Sequence, residues 1–139
     1  MDEECVFCQI VAGQVTGFVI ASNELCVAFL DALPLNPGHT LVVPRTHHKD
    51  LLALDEQTSA AMFNLARLVA IKLRSSALPC DGISVEMSNG EAAEQSVFHA
   101  HLHVVPRLRD DGLGRVEPQI KRPSHDTLAA TARLLAAEQ

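Results

Sequence analysis

Three histidines alternate with small or apolar residues in the run Val97-Phe98-His99-Ala100-His101-Leu102-His103-Val104-Val105. A β-strand sends successive side chains to opposite sides, so this run predicts a strand with one apolar face and one imidazole face. The apolar face holds Phe98, Ala100, Leu102 and Val104. His99, His101 and His103 would then lie about 7 Å apart on the other face. Strand propensity does not favour histidine over threonine or valine, so we interpret the row as a chemical face.

A row of imidazoles has two chemical uses. A neutral imidazole at His101, oriented by its neighbours, can attack phosphorus and form a covalent intermediate. Alternatively, His99, His101 and His103 could hold a catalytic zinc that activates a water molecule. Gln95 and Ser96 come immediately before the row and could donate hydrogen bonds to an anionic substrate oxygen.

The segment Cys5-Val6-Phe7-Cys8 has the spacing of a zinc knuckle, in which both thiolates reach one tetrahedral ion. Such a pair is half a site, and its remaining ligands must be imidazoles from elsewhere in the chain. His47, His48 and His99 are the candidates for a Cys₂His₂ site. A redox role is disfavoured, because no strand precedes the first cysteine.

Composition excludes several classes of protein. The chain has 139 residues, which fit one domain, and a net charge of −6, which argues against a nucleic-acid binder. No apolar run approaches the length of a membrane span, and the acidic start at residues 1–4 is unlike a signal peptide. We therefore expect a cytoplasmic protein without a membrane role. Cys26 and Cys80 are expected to be free thiols.

The hydrophobic pattern predicts an α+β domain with about five strands in a mainly antiparallel sheet. Strands are expected at residues 18–21, 26–30, 39–43 and 82–87 and at the histidine run. A short N-terminal helix after Cys8 and a long helix at about 56–74, capped by Asp55, complete the domain at residues 1–112. Residues 113–139 are expected to form an irregular segment and a helix capped by Ser124 that packs on the same domain.

Four blocks of the chain resemble the histidine-triad (HIT) superfamily of nucleotide hydrolases and transferases. Its signature resembles the run from Gln95 to Arg107. The other blocks are Cys5-Val6-Phe7-Cys8-Gln9-Ile10, Ala28-Phe29-Leu30-Asp31 and Pro37-Gly38-His39-Thr40-Leu41-Val42-Val43-Pro44. They stand in the order and at the spacing of the family. The pattern is most similar to zinc-containing bacterial members of the Hint-like branch.

The resemblance implies a role for each matching residue. His101 would be the nucleophile that attacks the α-phosphorus, and His103, His39, Ser96 and Gln95 would support catalysis. Asp31 would hold the ribose, and Phe7, Ile10, Phe29, Leu30 and Leu41 would form an apolar slot for a purine. Structural Zn²⁺ would be held by Cys5, Cys8, His47 and His99. The family usually has an asparagine seven residues before Gln95, where this chain has Ser88, so Asn89 would serve only after a one-residue shift.

The resemblance therefore implies hydrolysis of purine nucleoside 5′-phosphoramidates, or related AMP or GMP conjugates, by a homodimer. A dinucleoside polyphosphate hydrolase would share the same catalytic residues. A nucleotide-binding regulatory module would retain the histidines with little turnover. A hydrolase with zinc on the histidine row would keep its fold after chelation but lose turnover.

Overall fold

The structure, a computed structural model, describes residues 4–113 and 123–137 and contains one five-stranded sheet. Its strands are β1 (Val19–Ser22), β2 (Cys26–Leu30), β3 (Thr40–Pro44), β4 (Gly82–Glu86) and β5 (Leu102–Arg107). Their order across the sheet is β1-β2-β3-β5-β4, and every neighbouring pair is antiparallel. The α+β class and the antiparallel sheet expected from the sequence are confirmed.

Helices cover the two faces of the sheet. The short helix α1 (Val6–Val11) packs on one face, where Phe7 and Cys8 meet side chains of β2 and β3. The long helix α2 (Glu56–Ser75) packs on the other, where Met62, Leu65 and Val69 meet the opposite side chains of the same strands. Because β2 and β3 are covered on both faces, they are almost continuously apolar.

The long helix begins where the sequence predicts. The carboxylate of Asp55 accepts a hydrogen bond of 2.7 Å from the backbone N–H of Thr58 and so caps the helix. The short helix α1 begins earlier than its predicted start, which lies after Cys8. Cys5 is the cap of α1, and its Sγ accepts a 3.4 Å hydrogen bond from the N–H of Cys8, so both cysteines lie at the helix start.

The histidine run is the main departure from the predicted strands. Strand β5 begins at Leu102, so His99 and His101 precede it. The backbone N–H of Ala100 donates to the carbonyl of His48, 2.7 Å away, in the segment that follows β3. Phe98 is 37% exposed and lies under the ammonium of Lys49 instead of joining the core. The expected apolar face is therefore wrong at Phe98, because tertiary contacts bend the chain there.

The C-terminal helix α3 (His125–Ala137) begins at its predicted cap, where Ser124 Oγ accepts a hydrogen bond from the N–H of Thr127. All side chains described between residues 123 and 136 are exposed, so the single chain does not show the expected packing of this helix on the domain. Most of the predicted irregular segment, residues 114–122, lies outside the described residues. Within residues 4–113 and 123–137, no helix has the length and apolarity needed to cross a bilayer.

Candidate active site and metal centre

Two cysteines and two histidines converge beside the start of α1. The ligand atoms of Cys5, Cys8, His47 and His99 all lie within 4.8 Å of one another. Nδ1 of His99 is 3.3 Å from Cys5 Sγ and 3.4 Å from Cys8 Sγ, and Nδ1 of His47 is 3.4 Å from Cys8 Sγ. Tetrahedral zinc with ordinary bond lengths separates sulfur from nitrogen by about 3.5 Å, so the four residues fit a structural zinc ion.

The surroundings of His99 prepare it as a ligand. Its Nε2–H donates a 2.9 Å hydrogen bond to the carbonyl of Pro44, which leaves the lone pair of Nδ1 directed at the cysteines. Complete burial lowers the pKa of His99 from 6.5 to about 4, although the Pro44 hydrogen bond acts in the opposite direction. The imidazole is therefore neutral at pH 7, which is the form that binds metal. Burial also raises the pKa of Cys5, so a bound cation is what would hold this thiol as a thiolate.

His101 is buried beside the metal centre and has one free ring nitrogen. Its Nδ1–H donates a 2.8 Å hydrogen bond to the backbone carbonyl of His99, so the lone pair lies on Nε2. The ring of Phe7 packs edge-on against the imidazole, with 5.2 Å between centroids. Burial is the main cause that lowers the pKa of His101, so the neutral form of the imidazole is favoured.

His39 and His103 form a hydrogen-bonded pair whose tautomers are set by the backbone. The N–H of Leu35 donates to Nδ1 of His39 at 3.1 Å, so the proton of this ring is on Nε2. That Nε2–H lies 2.9 Å from Nδ1 of His103 and 3.5 Å from a carboxylate oxygen of Asp31. His103 consequently carries its proton on Nε2 and can donate it to a substrate.

The same tautomers argue against a second metal ion. The ligand atoms of Asp31, His39 and His103 also lie within 4.8 Å of one another. However, Nε2 of His39 is a donor while Leu35 occupies Nδ1, so this ring has no lone pair for a cation. Burial lowers the pKa of both His39 and His103, and the carboxylates of Asp31 and Glu86 partly oppose that effect.

A cavity of about 660 Å³ opens in front of the histidines. Its apolar end includes Phe7 and Phe29, whose rings meet edge to face with 5.5 Å between centroids. Its polar end is formed by Asp31, Ser96, His101 and His103. An apolar slot that ends at a carboxylate and a neutral imidazole has the size and polarity for a nucleotide.

Comparison with known proteins identifies the family. The sequence model of the HIT domain matches residues 12–110. The chain belongs to the HIT family. An uncharacterized HIT-like protein of Saccharolobus solfataricus is 43% identical over 107 residues, which are 77% of this chain and 76% of the relative. HIT proteins bind nucleotides and are generally nucleotide hydrolases or transferases.

Two further HIT relatives bear on the site. The structure of a Zn-bound histidine triad family protein from Mycobacterium smegmatis has a TM-score of 0.76 and 38% identity, over 96% of this chain and 97% of that one. It supports the assignment of the Cys₂His₂ cluster to structural zinc. An adenylylsulfatase from Arabidopsis thaliana is 32% identical over 81% of this chain and 57% of its own length.

The HIT structure brings most of the predicted site residues to the two centres. The metal centre contains all four predicted ligands and leaves His48 out of the cluster. All predicted nucleotide contacts except Asn89 line the large cavity, namely Phe7, Ile10, Phe29, Leu30, Asp31 and Leu41. The alternative zinc on the histidine row is not supported, because the imidazole of His99 faces the two cysteines instead of His101 and His103.

Two predicted residues lie elsewhere. The side-chain amide of Gln95 donates to the carbonyls of Lys49 and Val97 and accepts from the N–H of Gly90, so it braces the loop before the histidines. The side-chain oxygen of Asn89 accepts a 2.8 Å hydrogen bond from the N–H of Leu51. Ser88, in contrast, lines a smaller cavity beside His39 and His103.

Sequence reasoning missed several cavity residues. Thr16, Gly17 and Phe18 line the large cavity, although the residues before the first strand carry no chemical pattern. A β-carbon on Gly17 would lie 2.4 Å from a methyl carbon of Ile10, so this glycine permits a close approach of two cavity walls. Glu86 lines the smaller cavity. The alternation of Val85 and Glu86 at the end of β4 is the sequence signal that places the Glu86 side chain on the face opposite to Val85.

Proposed function

We propose that this HIT protein hydrolyses purine nucleoside 5′-phosphoramidates, or related AMP or GMP conjugates, through a nucleotidyl-histidine intermediate at His101. The observation that carries the proposal is the free Nε2 of a neutral, buried imidazole directed at a nucleotide-sized cavity. A nucleophile needs such a lone pair, and the backbone of His99 keeps it available.

The cavity suggests how the nucleotide is held. The base would lie in the apolar slot with Phe7, Ile10 and Phe29, and Asp31 would accept hydrogen bonds from the ribose hydroxyls. The phosphate would then lie beside Ser96, His101 and His103, the polar groups at the other end of the cavity. Ser96 would donate to the oxygens on which charge develops.

The reaction would proceed in two displacements. Nε2 of His101 attacks phosphorus, and the P–N bond to the leaving group breaks with its electron pair on nitrogen. That nitrogen takes a proton from Nε2 of His103. This transfer requires that the His39–His103 pair carry one proton more than its neutral form, so that His103 is neutral afterwards. Water then attacks phosphorus, returns a proton to His103 and releases His101 with its electron pair.

Zinc would have a structural role in this mechanism. When bound, it cross-links the start of α1 to His47 and His99 through four protein ligands, which leaves no open coordination position for chemistry. None of the four cysteines forms a disulfide, and Cys5 and Cys8 belong to the zinc site. We therefore propose that the enzyme works in the reducing cytoplasm.

We also propose a homodimer. The exposed surface of α2 includes Phe63, Leu68 and Ile71, which are 62%, 46% and 50% exposed. Ile71 adjoins Ile83 of β4, the strand at the sheet edge, so helix and edge together offer an apolar face to a second copy. Light scattering is expected to give the mass of two chains for the wild type and one for Ile71→Glu. Leu52→Glu, at an exposed turn, should remain dimeric.

The test of the reaction is intact mass after acid quenching. Wild-type protein mixed with an adenosine 5′-phosphoramidate should gain the mass of one bound AMP transiently and release AMP. His101→Ala should do neither, whereas His125→Ala, on the exposed C-terminal helix, should behave as the wild type. AMP release by His101→Ala would overturn the nucleophile, and nucleotide binding without an adduct in the wild type would favour a regulatory module.

A further inference from the structure

A second, smaller cavity of about 260 Å³ lies next to the nucleotide cavity. Both cavities are lined by Asp31, Leu33 and His103, so they adjoin at these residues. His101 lines the nucleotide cavity and not the second one. His103, the donor of the proposed reaction, therefore lies between the nucleophile and the second cavity.

The second cavity carries negative charge. Glu86 stands opposite His103 in the β4–β5 ladder, and residues that are paired across two strands have their side chains on the same face. The cavity is lined by two carboxylates, Asp31 and Glu86, and by no lysine or arginine among the described residues.

The carboxylate of Glu86 interacts with its neighbours, namely His39, His103 and Arg107, only through longer-range electrostatic attraction. Within residues 4–113 and 123–137, it forms neither a hydrogen bond nor an ion pair. The cation on the same face of the sheet, Arg107, is already engaged. Its Nε and Nη2 each donate a 2.8 Å hydrogen bond to Asp111, and its Nη1 donates to Ser84.

We propose that the second cavity receives the leaving group and that Glu86 selects leaving groups that carry a positive charge. The inference rests on the proposed function. In a displacement at phosphorus the leaving group departs on the side away from the nucleophile. A leaving group that departs away from His101 passes His103 and enters the second cavity. An ammonium on this leaving group would be attracted by the carboxylate of Glu86.

The proposal narrows the substrate class. A diamine, or an amino acid joined to phosphorus through its side-chain amine, places an ammonium a few bonds from the scissile nitrogen. Polyphosphates, sulfate and amines that end in a carboxylate would face Glu86 and Asp31 with a like charge, and this repulsion disfavours them.

Three adenosine 5′-phosphoramidates of similar length test the proposal. Their leaving amines are 1,2-diaminoethane, propylamine and β-alanine, which end in a cation, a methyl group and an anion. Wild-type kcat/KM should fall in that order, by about tenfold from each substrate to the next. A tenfold change is the effect expected when one attraction between opposite charges is lost, or one repulsion is gained, at a partly solvated site. Glu86→Gln should reduce the ratio of cationic to neutral substrate about tenfold, and Glu86→Lys should favour the β-alanine compound.

Glu24→Gln is the matched control, because it removes the same charge at an exposed turn between β1 and β2 and should keep the wild-type ratios. Equal kcat/KM for the three substrates, or ratios that Glu86→Gln leaves unchanged, would overturn the acidic subsite while propylamine release still supports the proposed function. Failure of the wild type to cleave any of the three would overturn both.

Discussion

The backbone carbonyl of His99 accepts a 2.8 Å hydrogen bond from Nδ1 of His101, while the side chain of His99 faces the two cysteines of the metal centre. One residue therefore connects the zinc site to the candidate nucleophile. A change that releases the ring of His99 also frees the carbonyl that orients His101. The metal centre and the reaction centre should respond together to substitution.

Loss of one thiol should affect both centres. Cys8 is buried, and its Sγ lies 3.4 Å from Nδ1 of both His47 and His99, so Cys8→Ser should lower zinc affinity by more than about 100-fold. We expect a melting temperature lower by about 5 °C or more and slower formation of the nucleotide adduct. Zinc content, thermal unfolding and quenched mass spectra measure these effects. Cys80→Ser, away from the metal centre, should keep full zinc content, and a zinc-loaded Cys8→Ser would contradict the assignment.

Acid should destabilise the zinc-free protein. Burial holds the pKa of His39, His99, His101 and His103 below the 6.5 of an unfolded chain, and for His99 at about 4. Below pH 6.5 the unfolded chain binds protons that the folded chain does not, so stability present above pH 6.5 is lost as pH falls toward 4. His99 alone accounts for about 3 kcal/mol.

Urea unfolding of chelated protein at pH 7.5, 6 and 5 measures this loss. His99→Asn, which cannot take up the proton, should show a shallower decline. Because His125 lies on the exposed C-terminal helix, His125→Ala should follow the wild-type curve. Equal stability at all three pH values would show that these histidines are not buried in neutral form.

The sequence predicts the parts of the fold that depend on local chemistry. Asp55 predicts the start of α2, because its carboxylate accepts a hydrogen bond from the backbone N–H three residues later. The apolar run Cys26–Leu30 is a strand in the structure, as predicted. The strand at the histidines is mispredicted because a distant contact overrides the alternating pattern. The ring of His99 turns to cysteines more than 90 residues earlier in the chain.

Other features of the site depend on contacts that no local pattern encodes. The tautomer of His39 follows from the N–H of Leu35, and that of His101 from the carbonyl of His99. Gln95 precedes the histidines and resembles a phosphate contact, yet its amide is bonded to two backbone groups of its own loop and to the carbonyl of Lys49 in the segment after β3. Residue order predicts which side chains come near the site but not which atoms are free.

The close approach of Gly17 to Ile10 gives a prediction about nucleotide affinity. In Gly17→Ala, the new β-carbon would lie 2.4 Å from a methyl carbon of Ile10, so the Ile10 side chain must move into or away from the apolar end of the large cavity, where we propose that the base binds. Overpacking of this kind costs about 1–3 kcal/mol, and we expect AMP to bind about tenfold more weakly. Gly82→Ala is the control, because no atom lies within 4 Å of its β-carbon. Calorimetric titration with AMP would contradict the prediction if both variants bound as the wild type does.

Replacement of Ser88, in the segment between β4 and β5, should increase the catalytic efficiency of the enzyme. Ser88 lines the second cavity with His39 and His103, and its short hydroxyl reaches less far than the amide of an asparagine. In the proposed binding mode the phosphate lies at His103, which borders both cavities, so Ser88→Asn would bring an amide donor close to the phosphate. This variant should raise kcat/KM by about tenfold for an adenosine phosphoramidate. The neighbouring Asn89 bonds the N–H of Leu51, so Asn89→Ala should lower the melting temperature with a smaller effect on turnover. A rate for Ser88→Asn at or below that of the wild type would place the phosphate away from this side of the histidine pair.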